Sequence, residues 1–224
     1  MDPAGRAVTG SATDLRSAER PLFGAILLAG GRGSRVGGAS KPLFEVGGQT
    51  LLARAVAAVT RAGARPIVVA APPLDASLEV DWVAEDPPFG GPVAGIVAAL
   101  GRRDLWAPDP EWTFVLACDL PRVDAAVARL ASDIPLLPDS TEGVCLADAS
   151  SRPQWLTGAY RTAALRRAAG AVPDAGRDAP VRVLLDDLAI AALAAPNDLT
   201  SDVDTWEDLD TARAAAGDAP LEDS

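Results

Sequence analysis

Apolar residues recur along the chain with two periods, one of strands and one of helices. Residues 23–29 (FGAILLA) form an unbroken apolar run that ends in glycines, the pattern of a strand buried on both faces. After a turn at Gly47-Gly48, Leu51, Leu52, Ala55, Val56 and Val59 fall at three- and four-residue intervals and predict a helix. Strands follow at 66–69 and 80–84. A helix opens at Pro92, the favoured first-turn position, and runs to Leu100. Residues 112–117 read as another buried strand and 123–130 as a helix. Further strands are expected at 143–147 and 155–160, and helices at 162–169, 181–188 and 205–215. This alternation predicts an α/β fold: a single-domain, doubly wound, mainly parallel sheet of Rossmann-like type with helices on both faces. Residues 21–216 are expected to form that domain. The flanks, 1–20 and 217–224, mix charged and small polar residues and read as disordered tails.

Composition narrows the chemistry. With 224 residues, 49% of them hydrophobic and 23% charged, the chain suits one globular domain. Its apolar runs fall far short of the roughly 18 residues of a membrane span, and residues 1–20 have no apolar signal core, so a soluble, cytoplasmic protein is expected. Cys118 and Cys145 are the only cysteines, which excludes a disulfide framework or a thiolate cluster and leaves two small buried hydrophobes. Histidine is absent, which removes Ser-His-Asp and Cys-His catalysis and imidazole metal sites together. Carboxylates, arginine and lysine must carry any reaction. A net charge of −11 argues against a nucleic-acid backbone as partner. The charge is uneven, however: Arg20 to Arg65 carries +6, whereas Asn197 to the end carries −8. A basic N-terminal third in an acidic protein suits a local polyanion such as a triphosphate.

Three segments concentrate the candidate chemistry, and all lie where a doubly wound fold gathers its loops, beyond the carboxyl ends of the strands. The first, LAGGRGSRVGGASKP, places five glycines between Gly30 and Gly38 and ends at Lys41. Glycines let backbone amides turn toward phosphate, and the cations neutralise its charge. Neither the dinucleotide-binding nor the Walker pattern fits, because Val36 stands where the first needs glycine and Ala39-Ser40 where the second needs Lys and Ser/Thr. Of twenty basic residues Lys41 is the only lysine, which points to a need for a compact ammonium. Arg35 in the same loop is a candidate for holding a leaving pyrophosphate. In the second segment, Asp86 precedes Pro87-Pro88-Phe89-Gly90-Gly91-Pro92 and can accept hydrogen bonds from a base or ribose. In the third, Asp119 leaves an apolar strand and precedes Leu120-Pro121, the placement of a Mg2+ ligand that works with substrate phosphates. Asp204 either completes a metal site or caps the last helix, and Thr205 with Glu207-Asp208 suits the cap. Trp155 either packs in the core or lines an acceptor pocket.

Taken together, LAGGRGSRVGGASKP, Glu85-Asp86 with GGPVAG, Cys118-Asp119-Leu120-Pro121 and Asp202-Val203-Asp204-Thr205-Trp206-Glu207-Asp208-Leu209 resemble the molybdenum cofactor guanylyltransferase family. The resemblance covers roughly residues 24–215. It implies a doubly wound fold that joins GMP from GTP to molybdopterin and releases pyrophosphate. It implies contacts to GTP from Leu28, Ala29, Gly30, Gly31 and Lys41, to the nucleoside part from Asp86, and to both nucleotide and Mg2+ from Asp119. GTP and molybdopterin would be the partners, with a protein that delivers or accepts the cofactor. The chain departs from the family pattern at Val36, Ser40, Ala70 and Trp206, where Met, Asp, Asn and Pro are usual. The Gly30-Gly31 pair resembles guanylyl- rather than cytidylyl-transferring members. The same loop and aspartate also suit nucleotidyl transfer to a sugar phosphate, phospholactate or another small phosphate, and a silent nucleotide-binding protein.

Overall fold

A computed structural model describes residues 21–30 and 40–218. Seven strands form one sheet in the order β5-β4-β1-β6-β8-β7-β9. In chain order they are β1 (Phe23–Leu28), β4 (Ile67–Ala70), β5 (Asp81–Trp82), β6 (Trp112–Ala117), β7 (Gly143–Ala147), β8 (Pro153–Arg161) and β9 (Ile190–Ala194). A separate two-stranded hairpin, β2 (Glu45–Val46) and β3 (Gln49–Thr50), turns at Gly47-Gly48 with φ of 62° and 70°. Positive φ at both turn residues matches the twist of paired strands and explains the two glycines.

Alternation within the central strands sends neighbouring side chains to opposite faces. Ala25 and Leu27 of β1, with Phe114 and Leu116 of β6, pack on one face against Leu52, Ala55 and Val59 of α1 (Leu51–Arg61) and Val127 and Leu130 of α3 (Val123–Asp133). Ile26 and Val115 point the other way, toward Val93 and Ile96 of α2 (Pro92–Gly101), Leu165 of α4 (Thr162–Ala171) and Leu184 of α5 (Val181–Leu185). Burial on both faces is why β1 and β6 are apolar along most of their length; Thr113 of β6 is the exception, its hydroxyl hydrogen-bonded to that of Thr162 at 2.8 Å. A third, smaller core gathers Val46, Leu51, Val203 and Leu209, the last from α6 (Trp206–Ala216).

The expected mainly parallel, two-faced sheet is present: β1 runs parallel to β4 and β6, β4 to β5, and β7 to β9. One strand differs in direction. β8 is antiparallel to both β6 and β7, so it begins at the edge of the sheet where its neighbours end. Strand β9 and the β2–β3 hairpin were not expected, because IAALA carries no alternation and the hairpin strands are two residues each. The helix expected to reach Leu188 stops at Leu185. Gly217 and Asp218, expected in a tail, instead close α6: Gly217 adopts the left-handed cap with φ 79°, and the Asp218 amide donates to the Arg213 carbonyl at 3.0 Å.

Two glycines make the packing testable. A Cβ on Gly158 in β8 would stand 2.7 Å from the Val144 carbonyl oxygen and 3.0 Å from the Tyr160 hydroxyl, whereas one on Gly170 in α4 would meet nothing within 4 Å. Gly158→Ala should therefore cost about 1–3 kcal/mol in urea unfolding through overpacking against backbone. Gly170→Ala should be neutral or stabilise by up to about 1 kcal/mol.

Candidate active site

The first strand, β1, lies in the interior of the sheet. From β1 the chain winds outward through β4 to β5, then returns by way of α2 to β6 on the other side of β1, so the α2 entry comes to lie over the ends of β4, β1 and β6. The strands end level, with Leu28 beside both Ala70 and Ala117. The Cys118 amide still donates to the Leu28 carbonyl at 3.1 Å, which places Asp119 directly at the lip.

A cleft of about 330 Å3 occupies this position. Leu28, Gly30, Ala70, Ala117 and Asp119 form its floor, and Gly91, Pro92 and Gly95 of the α2 entry form one wall. Glu85, Phe89 and Leu156 complete the rim. Gly95 is needed for the close fit of α2 on the strand ends, because a Cβ there would lie 3.2 Å from the Ala70 Cβ and 3.3 Å from Leu28 Cδ2.

At the Asp119 end three carboxylates meet. Asp119, Asp202 and Asp204 each bring an oxygen within 4.8 Å of the others, and Lys41 donates from Nζ to Asp204 Oδ1 at 2.5 Å. Several features of the sequence bring together residues so distant in the chain. The Val203 amide donates to the Asp119 carbonyl at 2.9 Å, and the Val203 side chain is fully buried in the small core. The aspartates on either side of this buried valine are thereby left beside Asp119. Lys41 opens a single 3-10 turn, Lys41–Leu43, that leads through Phe44 into the hairpin. The hairpin is tied down from both flanks: Arg54 Nη2 donates to the Val46 carbonyl at 2.7 Å, and Arg213 Nε of α6 donates to the Glu45 carbonyl at 3.1 Å. The Phe44 and Trp206 rings meet at 5.1 Å.

The cap expected of Asp204 belongs to its neighbour. Thr205 is the N-cap of α6, in a reciprocal capping box with Asp208, and the Asp204 carboxylate faces Lys41 and the acid cluster instead. Of the other sequence candidates, Leu28, Gly30 and Asp119 line the cleft, and Ala29 is buried beside them. Asp86 is exposed on the approach to the cleft, while its neighbour Glu85 turns in and accepts the Gly90 amide at 3.0 Å. Trp155 is half-buried and packs on the α2 side of the core, and the adjacent Leu156 reaches the cleft. Gly31 and Arg35 lie outside the described residues. Asp202 and Glu85 were not assigned roles from the sequence. The one local signal for Asp202 was the Asp-Val-Asp alternation, in which a buried apolar residue is flanked by two acids.

Burial, reinforced by the negative charges of Asp202 and Asp204, raises the Asp119 carboxyl to about 6, although Lys41 opposes the rise. Three carboxylates that converge in this way offer hard oxygen donors that suit a divalent cation such as Mg2+.

The sign of the resulting pH dependence follows. A carboxyl raised above its unfolded value is charged at a cost in the folded protein, so the penalty appears between about pH 4 and pH 6 and is complete above that window. Asp119→Asn should therefore raise the melting temperature in EDTA at pH 8, with the gain vanishing near pH 4. Mg2+ at pH 8 should raise the melting temperature of the wild type and leave that of Asp119→Asn little changed.

Residues 25–191 match the model of the MobA-like NTP transferase domain. A molybdenum cofactor guanylyltransferase of Nitrobacter hamburgensis is 37% identical over 107 residues, covering 46% of this chain and 51% of that protein. A probable molybdenum cofactor guanylyltransferase of Synechococcus elongatus is 33% identical over 153 residues, covering 63% and 73%. The match thus spans about half to three-quarters of the length of these relatives. Among solved structures, Rv0371c from Mycobacterium tuberculosis superimposes with a TM-score of 0.62 at 22% identity, covering 88% of this chain and 100% of that one. Molybdopterin-guanine dinucleotide biosynthesis protein A from Archaeoglobus fulgidus gives 0.62 at 19%, covering 88% and 99%. Those two establish a shared fold, and no helix among the described residues is long and apolar enough to cross a membrane. With the family model spanning most of the sheet and the strand ends that carry Asp119, the chain belongs to the MobA-like NTP transferase family.

Proposed function

We propose that this protein transfers GMP from GTP to the phosphate of molybdopterin or the molybdenum cofactor, giving the guanine dinucleotide form and pyrophosphate. One observation carries the reading: Asp119, Asp202 and Asp204 converge with the chain's only lysine at the end of a cleft sized for a nucleotide. The names of the relatives supply the acceptor.

In this reaction an acceptor phosphate oxygen forms a bond to the α-phosphorus of GTP. The bond from that phosphorus to the α,β-bridging oxygen breaks, and pyrophosphate leaves with the electron pair. Mg2+ held by Asp119, with Asp202 and Asp204 beside it, would offset the charge on the phosphates. Lys41 exchanges part of its hold on Asp204 for a phosphoryl oxygen, and its compact ammonium follows that oxygen as charge develops. Leu28, Ala29, Gly30 and Gly31 bring backbone close to the triphosphate, Arg35 holds the leaving pyrophosphate, and Asp86 meets the nucleoside part. The N-terminus of α2 at Gly91-Pro92 adds a favourable partial charge at the cleft. No general base is required, because the acceptor phosphate is ionised at neutral pH, and this agrees with a chain that has no histidine. Positioning and electrostatics are the source of rate.

Pyrophosphate release, measured with four nucleoside triphosphates against molybdopterin, its molybdate-loaded form and several sugar phosphates, tests the reaction. Turnover is expected with GTP and a molybdopterin acceptor. Turnover confined to a sugar phosphate would replace the acceptor, and binding of GTP with Mg2+ without turnover on any acceptor would make the chain a nucleotide-binding protein. Lys41→Ala and Asp119→Ala should each lower kcat by about 100- to 1,000-fold with the fold intact by circular dichroism. Lys41→Arg should not restore the rate, since a planar guanidinium replaces a point charge.

A further inference from the structure

Among the described residues along the rim and floor of the cleft two side chains are titratable, Asp119 at one end and Glu85 at the other. Their separation follows from topology. Asp119 leaves β6 and Glu85 leaves the β5 edge, so β1 and β4 intervene. Three strand spacings make about 14 Å across the sheet. A nucleotide whose α-phosphate lies at the Asp119 cluster therefore extends its base toward Glu85. Between the two ends the lining is small and apolar, with Leu28, Ala70, Gly95 and Ala117 offering flat surface and no hydrogen-bonding side chain.

Glu85 is fixed in place. Its Oε2 accepts the Gly90 amide at 3.0 Å, and the Gly90 carbonyl in turn accepts the Asp178 amide at 2.6 Å. Any side chain at Gly90 would collide, since a Cβ there would stand 2.9 Å from the Ala94 Cβ and 3.0 Å from Glu85 Oε2. A carboxylate has about four acceptor positions, and one hydrogen bond leaves capacity for two parallel donors. Among the common bases, guanine alone presents two adjacent donors, N1–H and the 2-amino group. Cytosine and adenine each put an acceptor beside their amino group, which a carboxylate repels.

We propose that Glu85 reads the nucleobase and that its carboxylate selects guanine. This rests on the reading of the cleft as a nucleotide site, and it assigns base choice to a residue distinct from the exposed Asp86 and from the Gly30-Gly31 pair.

Equilibrium titration of the full chain with GTP, ITP, ATP and CTP in the presence of Mg2+ tests it, because ITP lacks only the 2-amino group. The wild type should bind GTP about 10- to 100-fold more tightly than ITP, as expected for a hydrogen bond to a charged group. Glu85→Gln keeps an acceptor for the Gly90 amide, and it should bring the GTP-to-ITP ratio close to one, with GTP affinity falling more than ITP affinity and ATP and CTP affinities nearly unchanged. A purely structural role for Glu85 would weaken all four triphosphates together. That outcome, an unchanged ratio in Glu85→Gln, or loss of discrimination in Asp86→Asn alone would overturn the assignment. Preference of the wild type for CTP would overturn it as well, while leaving the nucleotide site standing. Failure of the wild type to bind any triphosphate would overturn both.

Discussion

The hydrogen bond from the Val203 amide to the Asp119 carbonyl, 2.9 Å long, joins the two parts of the chain that make the acid cluster. It acts with a buried side chain, since Val203 sits in a small core with Val46, Leu51 and Leu209. That core also anchors the hairpin following Lys41, so one cluster of four apolar residues sets the position of the lysine and of two of the three carboxylates. Electrostatics alone would not assemble the group. Burial first, and then the negative charges of Asp202 and Asp204, raise the Asp119 carboxyl, and apolar packing must offset that cost of bringing the acids together.

The sheet performs a different task. It holds Leu28, Ala70 and Ala117 level, and the packing of Gly95 against two of these side chains brings the α2 entry close to the strand ends. Ala70 contributes shape to the floor without a polar side chain. The cleft is consequently apolar along its length and charged at its ends.

Much of this was legible in the order of residues. The central strands announce themselves because burial on both faces leaves them a single polar residue, Thr113, and Lys41 stands out because every other basic residue is arginine. Asp119 could be placed because it directly follows a strand. What escaped local reading depended on partners far along the chain. The direction of β8 has no signature, because alternation is the same read either way, and β9 is mostly alanine. Local rules favoured Asp204 as a cap, since a helix does start beside it. Only the fold shows that Thr205 takes the cap and frees Asp204 for Lys41. Likewise, which of Glu85 and Asp86 turns inward depends on the Gly90 amide and not on their order in the sequence.

The threading of the Asp202–Asp204 segment back onto Asp119 also has a consequence for biogenesis. All seven strands precede Asp202 and Asp204 in the chain, so the cluster lacks two of its three acids until the segment after β9 is made. A chain interrupted during synthesis just after β9 would carry every strand of the sheet and Asp119 but would lack two of the three carboxylates. Completion of the acid cluster is thereby deferred to a late stage of synthesis.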